Sequence, residues 1–536
     1  MSDHISEIAE EDVAMNASRY AKKGVYDGNA PLKGKKNAYQ RAVSGKISKQ
    51  AAVLNARSGG MSLFDMSASQ PPLSERETTM DEVRKLHNKK SPTCISLFSG
   101  GGGMLTGFAM SGWRDLAISE FVHDACRTLE ANYNVHILWP EDILVAAKQA
   151  AEQLDIEVLK PTARTMSKIE DIMKQEPAMV LNRASKFRKQ TIGVGVSWEN
   201  TMYRIGLDKF DELRTLTNRI LFDGLGEYNP DISYLWGDDI RAMSGTEMLR
   251  FMGLEPGEVD CIEGGPPCAS FSMAGKREKG WGSQSKYSEE RVQSTRNLFD
   301  EYIRVVGEIK PKMFVAENVP SLISGEEPRK YAKDIITALT KKGYRCEARV
   351  LAASDYECPQ KRERLFIQGV RNDLRHKKDT SVPTKPAWPV KSSYSYVLRD
   401  ALEAAAPRNT QEQIDFAMFN EREIGRTWDV LEQGVSPVNK QYMAIRCHPE
   451  QHCPTITVVG ARDISGAGPM HPSERRKFTI PEYMAIFGYP TDYKFTGEIP
   501  QQSERMARSV PPVLGRAISG AMRRNLNRSV VVTEEN

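Results

Sequence analysis

Apolar and polar positions alternate in blocks along most of the chain. Short apolar blocks, each bounded by turn residues, have the pattern of buried strands at residues 94–98, 116–118, 259–262 and 313–316. Amphipathic, helix-like stretches follow several of these blocks. Strands that alternate with helices predict an α/β fold built on a doubly wound, mostly parallel sheet.

The first 90 residues depart from this pattern. Between Arg19 and Lys49, nine residues are Lys or Arg, and Asp27 is the single acid. Residues 1–90 are therefore predicted to be a basic N-terminal extension. Two interpretations of it stay open, a solvated and partly disordered tail or an arm that follows a phosphate backbone.

A second stretch, residues 134–235, separates the second predicted strand from residues 236–240. Its pattern is mainly helical, as in residues 141–159 and 165–190, and residues 182–190 contain four basic residues and no acid. We expect a helical insert. It either exposes a solvated helix face or contacts nucleic acid.

Composition and charge limit the class of protein. The chain has 536 residues, 40% of them hydrophobic, and a net charge of only +4. No apolar run approaches the roughly 20 residues of a membrane helix, and residues 1–15 are too polar for a secretory signal. The eight cysteines lack the spacing of a disulfide framework. We expect a monomer with reduced thiols in the host-cell cytoplasm or nucleoid, without membrane contact.

A glycine-rich turn follows the first predicted strand, at residues 99–103. Glycines let a backbone approach a nucleotide closely and adopt positive φ angles. Glu120, just past the second strand, could accept hydrogen bonds from ribose hydroxyls, and Asp239 with Ile240 offers a carboxylate and an apolar wall for an adenine. Such an order also suits a nicotinamide oxidoreductase.

A cysteine follows the third predicted strand within residues 264–272, which read Gly-Gly-Pro-Pro-Cys-Ala-Ser-Phe-Ser. The prolines hold Cys268 rigidly at a strand end, where open α/β sheets bind ligands. The next strand delivers Glu317 to the same edge. Arg362 and Arg364 face one side if their segment is extended. An oxidoreductase leaves this thiol unexplained, whereas a nucleophile beside a carboxyl and two cations has a catalytic use.

In their order along the chain, these motifs resemble the DNA cytosine-5 methyltransferase family from Thr93 to about Met522. The resemblance rests on residues 98–103, Pro266-Pro267-Cys268, Arg296 with Leu298 and Phe299, residues 317–319, Gln360-x-Arg362-x-Arg364, Pro454-Thr455, Thr479-x-x-Glu482, residues 487–490 and residues 509–512.

The resemblance implies a Rossmann-like class I methyltransferase fold and a domain order. Residues 91–401 would form the catalytic domain, which includes the insert. Residues 402–442 would form a small target-recognition region, and residues 443–536 would return to the catalytic domain. Because residues 402–442 are few for reading a target, either the insert or the N-terminal arm shares that task, or the target is short.

The resemblance also implies how the site works. The thiolate of Cys268 would attack C6 of a cytosine flipped out of double-stranded DNA, Glu317 would contact N3, and Arg364 with Arg362 would hold O2 and the flanking phosphate. Residues 272–294 would close over the base. The S-adenosylmethionine pocket would be lined by Phe98, Gly100, Gly102, Gly103, Glu120, Phe121, Asp239, Ile240, Pro267, Leu298, Arg508 and Ser509.

Arg508 stands where this family usually has asparagine. Three interpretations compete. The arginine points outward to a phosphate or a protein carboxylate, or it weakens cofactor binding in a poorly active enzyme. In the third, it pairs with the carboxylate of carboxy-S-adenosylmethionine, so that the product is 5-carboxymethylcytosine.

Further alternatives concern substrate, catalysis and metal. A tRNA cytosine methyltransferase would share the same motifs, and a catalytically silent DNA-binding regulator would not need them all intact. Cys447, His448, His452 and Cys453 invite a zinc hypothesis. Their close spacing is unlike that of a zinc knuckle, so we expect no metal.

Overall fold

The central feature of the fold is a sheet of eight strands. The structure, a computed structural model, describes residues 78–156, 198, 205–267, 284–287, 291–294, 298–418, 431–434, 444–462 and 468–532. The strands are β1 (Thr93–Leu97), β2 (Arg114–Ser119), β3 (Val135–Leu138), β4 (Ser233–Trp236), β5 (Cys261–Gly264), β6 (Met313–Asn318), β7 (Tyr344–Ala352) and β8 (Glu363–Arg371).

The strand order is β3-β4-β2-β1-β5-β6-β8-β7. Neighbouring strands run parallel except at β8, which is antiparallel to both β6 and β7. The four strands predicted from apolar blocks are β1, β2, β5 and β6, and they adjoin one another at the centre of the sheet. The predicted fold class, a doubly wound and mostly parallel α/β sheet, is confirmed.

Helices precede the first strand of the sheet, occupy most of the connections between its strands and follow its last strand. They are α1 (Met80–Lys85), α2 (Gly103–Met110), α3 (His123–Glu130), α4 (Pro140–Gln153), α5 (Leu207–Asp223), α6 (Gly245–Met252), α7 (Leu298–Ile309), α8 (Glu326–Lys341), α9 (Leu398–Ala405), α10 (Gln411–Ala417), α11 (Val458–Arg462), α12 (Ile480–Phe487), α13 (Ile499–Arg508) and α14 (Pro512–Asn527).

The insert at residues 134–235 is not purely helical. It begins with β3, which pairs in parallel with β4 and extends the sheet at its edge. The strand has four residues, and the apolar side chains of Ile137 and Leu138 are buried. The helix predicted at residues 141–159 is α4, which starts at Pro140 and ends at Gln153. Residues 165–190 lie outside the described residues.

The C-terminal segment packs directly on the first helix of the sheet. A Cβ on Gly107 of α2 would lie 2.6 Å from Cα of Gly515 of α14, so the two helices touch through their backbones. The indole of Trp113 donates to the carbonyl of Ser519 over 3.1 Å. Helix α14 is thereby held against α2 and the turn that follows it.

Helices α9, α12 and α13 share a second apolar cluster with residues of the loops beside them. Within it, the guanidinium of Arg476 donates two hydrogen bonds to the carboxylate of Glu482, of 2.7 and 2.8 Å. Residues 1–77, 419–430 and 435–443 lie outside the described ranges, and they include most of the predicted basic extension. Among the described helices, none combines the length and the apolarity that crossing a membrane requires.

Candidate active site

The loop after β1 has an unusual backbone. Phe98 has a φ of +56°, and Gly100 and Gly102 have φ values of +54° and +74°. A non-glycine residue in the left-handed region is strained and persists only where its surroundings hold it. Here Ser99 N–H donates to the carbonyl of Ser119, and the Ser99 and Ser96 hydroxyls lie 2.6 Å apart. The loop is therefore fixed to β1 and β2.

Glu120 lies directly beside this loop, at the end of β2. One carboxylate oxygen accepts from Gly100 N–H at 2.6 Å, and the other accepts from Val122 N–H at 2.7 Å. Burial raises the pKa of Glu120, while the N–H groups of Val122, Gly100 and Phe121 and the charge of Arg505 oppose that rise. The predicted partners Phe98, Gly100, Glu120 and Phe121 thus come together at one edge of the sheet.

Gly102 and Gly103 are packed against residues of the C-terminal segment. A Cβ on Gly102 would lie 2.3 Å from the Tyr493 hydroxyl oxygen, and one on Gly103 would lie 2.1 Å from the carbonyl oxygen of Val510. Tyr493 also donates to the carbonyl of Gly101 over 2.9 Å. These two glycines make room for the C-terminal segment, and Ser509, 8% exposed, is part of that contact.

Asp239 and Ile240 stand just past the end of β4. Asp239 caps a short 3₁₀ turn, Ile240–Ala242, and its two carboxylate oxygens accept from the backbone and the side chain of Arg241 at 3.0 and 2.9 Å. Ile240 is 2% exposed and Leu298, the first residue of α7, is fully buried. Asp239 and Ile240, both predicted as cofactor contacts, therefore lie at the carboxyl end of β4.

Glu317 and Arg364 form the ion pair of the site. Arg364 Nε lies 2.9 Å from Glu317 Oε1, and the two side chains are only 13% and 15% exposed. Burial raises the pKa of Glu317, and the cations of Arg364 and Arg362 oppose the rise. Burial likewise lowers the pKa of Arg364. The result is a carboxyl with a guanidinium beside it in a setting that water barely reaches.

The backbone that leads to Cys268 adjoins this pair. Asn318 donates from its side-chain amide to the carbonyl of Pro266 over 3.1 Å. A Cβ on Gly265 would lie 3.0 Å from Glu317 Oε2. Pro267 is the last described residue of this loop, because residues 268–283, which include Cys268 and the first part of the predicted closing loop, lie outside the described residues.

Arg362 does not lie beside Arg364 as an equal partner. It is 1% exposed, and its two terminal nitrogens donate to the carbonyls of Ile456 and Ala507 at 3.2 and 2.8 Å. Its guanidinium also lies 5.5 Å from the ring centre of Phe487. The expectation that both arginines face one side assumed an extended segment, but the N–H of Arg362 donates to the carbonyl of Gln360 over 2.9 Å, so the chain bends just before β8 begins at Glu363.

Comparisons with known proteins agree with the motif order. A profile described as C-5 cytosine-specific DNA methylase matches residues 235–524, more than half of the chain. The chain belongs to this family. It is 34% identical over 317 residues to the type II methyltransferase M.PspPI of Psychrobacter sp. strain TA137, a match that covers 54% of this chain and 68% of that protein.

Two further matches are a second curated relative and a solved structure. The type II methyltransferase M.Sau96I of Staphylococcus aureus is 29% identical over 287 residues, 51% of this chain and 62% of that protein. Among solved structures, DNMT2 of Spodoptera frugiperda aligns with 82% of this chain and 100% of that chain, at 14% identity and a TM-score of 0.45. The predicted membership of the cytosine-5 methyltransferase family is confirmed, and methylases of this family use S-adenosylmethionine.

The arginine at the usual asparagine position of this methylase family has a protein partner. Arg508 donates from Nε and Nη2 to the same carboxylate oxygen of Glu504, over 3.1 and 2.7 Å. Glu504 precedes it by one helical turn on α13. This contact supplies the protein carboxylate of the first interpretation, while a carboxylated cofactor stays a prediction.

The two cysteines and the two histidines of the zinc hypothesis have different surroundings. Cys447 and Cys453 are buried, whereas His452 lies 3.4 Å from the Ser395 hydroxyl and His448 accepts from Glu450 N–H at 3.1 Å. Within the described ranges, no group of three or more His, Cys, Asp or Glu side chains is arranged to hold a metal ion.

Sequence reasoning missed two charged residues that lie close to the predicted site residues, Arg505 near Glu120 and Glu263 near Glu317. Arg505 pairs with Asp124 at 2.7 Å, which joins α13 to the helix after Glu120. Glu263 on β5 is 1% exposed and its pKa is raised to about 8, mainly by burial. A charged residue inside an apolar strand was the signal for Glu263. No local signal marks Arg505, since its partner is distant in sequence.

Proposed function

We propose that this enzyme transfers a methyl group from S-adenosylmethionine to C5 of a flipped cytosine in DNA, through a covalent bond between Cys268 and C6. The observation that carries the proposal is the buried pair of Glu317 and Arg364 beside the Pro266 carbonyl, two residues before Cys268. A thiol next to a carboxyl and a guanidinium is the set that attack on a pyrimidine ring requires.

The residues at the carboxyl edge of β1, β2 and β4 fit the cofactor. A Cβ on Gly100 would meet nothing within 4 Å, so the loop offers open space at that point, next to the buried carboxylate of Glu120. Glu120 would hold the ribose hydroxyls, and Asp239 with Ile240 would hold the adenine. When bound, S-adenosylmethionine supplies a methyl group made electrophilic by a sulfonium.

The protein's own groups would activate the base. The Cys268 thiolate forms a bond to C6, and the electron pair of the C5–C6 double bond becomes available at C5, which is then a nucleophile. After C5 has gained the methyl group, loss of its proton and departure of Cys268 restore the double bond. The positive charges of Arg364 and Arg362 would favour the thiolate form of Cys268 over the thiol.

Glu317 would act at N3 of the ring. Burial raises the pKa of this carboxyl, so it retains a proton more readily than an exposed glutamate. A protonated carboxyl can donate to N3 and stabilise the electron density that arrives when sulfur adds to C6. Arg364, held by Glu317, would present its remaining N–H groups to O2. Arg362 would position Arg364 by anchoring the segment before β8.

Nucleoside mass spectrometry tests the proposal. The full chain is incubated with S-adenosylmethionine and either unmethylated duplex genomic DNA or unmodified tRNA, and the digested products are weighed. We expect 5-methylcytosine in DNA, none in tRNA, and none with Cys268→Ala. If 5-methylcytosine formed in tRNA alone, tRNA and not DNA would be the substrate. An active Cys268→Ala enzyme would exclude the covalent route.

A further inference from the structure

The short loop after β4 is held by side chains at four consecutive carbonyls. Asp239 accepts from the indole of Trp236 at 3.1 Å, and Ile240 accepts from Arg304 at 2.9 Å. The carbonyl of Arg241 accepts from a guanidinium N–H at 3.3 Å, and that of Ala242 accepts from an amide N–H at 2.6 Å. Such complete bonding of loop carbonyls by side chains fixes the position of the residues between them.

Two of those four donors come from the insert. Arg214 of α5 donates to Arg241, and Asn218, one turn later, donates to Ala242. Asn218 is fully buried, and its side-chain oxygen also accepts from Ser244 N–H at 3.0 Å. One asparagine therefore bonds to the loop on both sides of Met243.

A third residue of the insert reaches the start of the loop. The indole of Trp198 donates to the carboxylate of Asp238 over 3.1 Å, and both residues are 3% exposed. The Trp198 ring packs edge-on against Phe210 of α5, with ring centres 6.4 Å apart. The contacts of Trp198, Arg214 and Asn218 thus run along the loop from Asp238 to Ser244.

We propose that the insert is a clamp for the cofactor, in which Trp198, Arg214 and Asn218 are positioning residues that set the affinity for S-adenosylmethionine. The inference rests on the proposed function, because it takes Asp239 and Ile240 as the adenine contacts. In this proposal the three side chains need no contact with the cofactor itself. Each acts through the backbone or the carboxylate next to those contacts.

Variants that weaken the clamp should lose affinity for the cofactor selectively. A loop that can move lowers the fraction of enzyme able to bind the cofactor, and the apparent dissociation constant rises by that factor. Catalysis at saturating cofactor and affinity for DNA are unaffected, because Glu317 and Arg364 lie on other strands. A nucleic-acid contact made by the insert would show the opposite pattern.

The test compares Asn218→Asp with the wild-type enzyme. Aspartate keeps the shape but replaces the donor to Ala242 with a charged acceptor. We expect the dissociation constant of S-adenosylhomocysteine, measured by calorimetry, and the KM for S-adenosylmethionine to rise at least tenfold. The expected kcat on unmethylated genomic DNA stays within twofold, as does the affinity for mixed-sequence duplex DNA. Trp198→Phe, which removes the hydrogen bond to Asp238 together with part of the buried ring, should raise both cofactor constants at least threefold.

Two controls on the same helix separate clamping from mere destabilisation. Leu221→Ala removes a core side chain of α5, and Asp223→Asn removes an ion pair of 2.7 Å with Arg250. Both should leave cofactor affinity within twofold, even where Leu221→Ala lowers the melting temperature as far as Asn218→Asp does. Unchanged cofactor affinity in Asn218→Asp and Trp198→Phe would overturn the clamp. A wild-type enzyme that fails to bind S-adenosylhomocysteine would instead overturn the proposed function.

Discussion

The guanidinium of Arg364 lies 2.9 Å from the carboxylate of Glu317, and this pair joins the second residue of β8 to the penultimate residue of β6. The strands are antiparallel, with Phe366 opposite Glu317. Two residues that are distant in sequence therefore meet at the edge of the sheet to which the Pro-Pro loop runs. Burial raises the pKa of Glu317 and Arg364 opposes that rise, so the pair favours the ionised form of this carboxyl.

Replacing Glu317 with glutamine should abolish most of the activity while sparing the cofactor site. We expect kcat to fall by roughly 10²–10⁴, the usual contribution of a positioned general acid or base. The dissociation constant of S-adenosylhomocysteine should stay within twofold. Glu363→Gln, an exposed change between Arg362 and Arg364, is the matched control and should keep full activity. A Glu317→Gln enzyme within threefold of wild-type kcat would remove this carboxyl from the mechanism.

Arg362 and Arg364 should fail in different ways. Arg362→Met leaves the buried carbonyls of Ile456 and Ala507 without donors, at a cost of about 1–3 kcal/mol each, so we expect a clear loss in unfolding free energy. Arg364→Met should lower kcat/KM for DNA by at least a hundredfold with a smaller change in stability. Denaturant unfolding and steady-state kinetics on both variants check this. Equal stability losses would show that the two arginines share one structural task.

The centre of the fold was predictable because its signals are local. Strands β1, β2, β5 and β6 are apolar blocks next to turns, and a parallel sheet collects their carboxyl ends at one edge. The order of the motifs then indicated the family. Strand β3 escaped prediction, since four residues at a sheet edge carry too short a pattern to distinguish from the helix that follows.

The roles of particular side chains were harder to predict because they depend on distant partners. In an extended segment Arg362 and Arg364 would be equivalent. The hydrogen bonds that Arg362 donates to the carbonyls of Ile456 and Ala507 give it a structural role instead. The sequence left three interpretations of Arg508 open, and the structure adds its contact with Glu504, one turn away. The i,i+4 spacing on a helix could have indicated that pair.

Stability should fall as the pH rises towards 8. Burial raises the pKa of Glu263 to about 8 and that of Asp115 to about 7, and the charge of Asp115 also opposes the ionisation of Glu263. Unfolded, both ionise near pH 4, so their contribution is fully present below that pH and is lost as the pH rises through the folded-state values. The other titratable groups that face Glu263 are Glu317, Cys94, Cys261 and Tyr302.

Glu263→Gln tests that dependence, because glutamine is neutral at every pH and similar in shape. We expect its melting temperature to fall less than that of the wild type between pH 5 and pH 8. At pH 8 the melting temperature of Glu263→Gln should exceed that of the wild type by roughly 2–4 °C for each kcal/mol of ionisation cost that the substitution removes. Glu258→Gln, on an exposed side chain near the same strand, should leave the wild-type slope intact. Parallel melting curves for Glu263→Gln and wild type would contradict the assignment.

The pairing of Arg508 with Glu504 predicts plain methyl transfer. With the guanidinium held by a protein carboxylate, we expect 5-methylcytosine as the product, even when S-adenosylmethionine and its carboxylated analogue are supplied in equal amounts. Arg508→Asn should keep methyl transfer within about threefold. Mass spectrometry of the nucleosides identifies the product. Predominant 5-carboxymethylcytosine from the wild type, lost in Arg508→Asn, would establish the carboxymethyl alternative instead.

Two alanine substitutions in the glycine loop should separate cofactor binding from packing. On Gly103, the added Cβ would lie 2.1 Å from the backbone carbonyl of Val510, which cannot move without shifting the C-terminal segment. On Gly100, it would meet no atom within 4 Å, at a strained φ of +54° that costs alanine about 1–2 kcal/mol. We therefore expect Gly103→Ala to unfold at a much lower denaturant concentration. Gly100→Ala should stay folded and bind S-adenosylhomocysteine at least tenfold more weakly. Normal cofactor affinity in a folded Gly100→Ala enzyme would place the cofactor away from this loop.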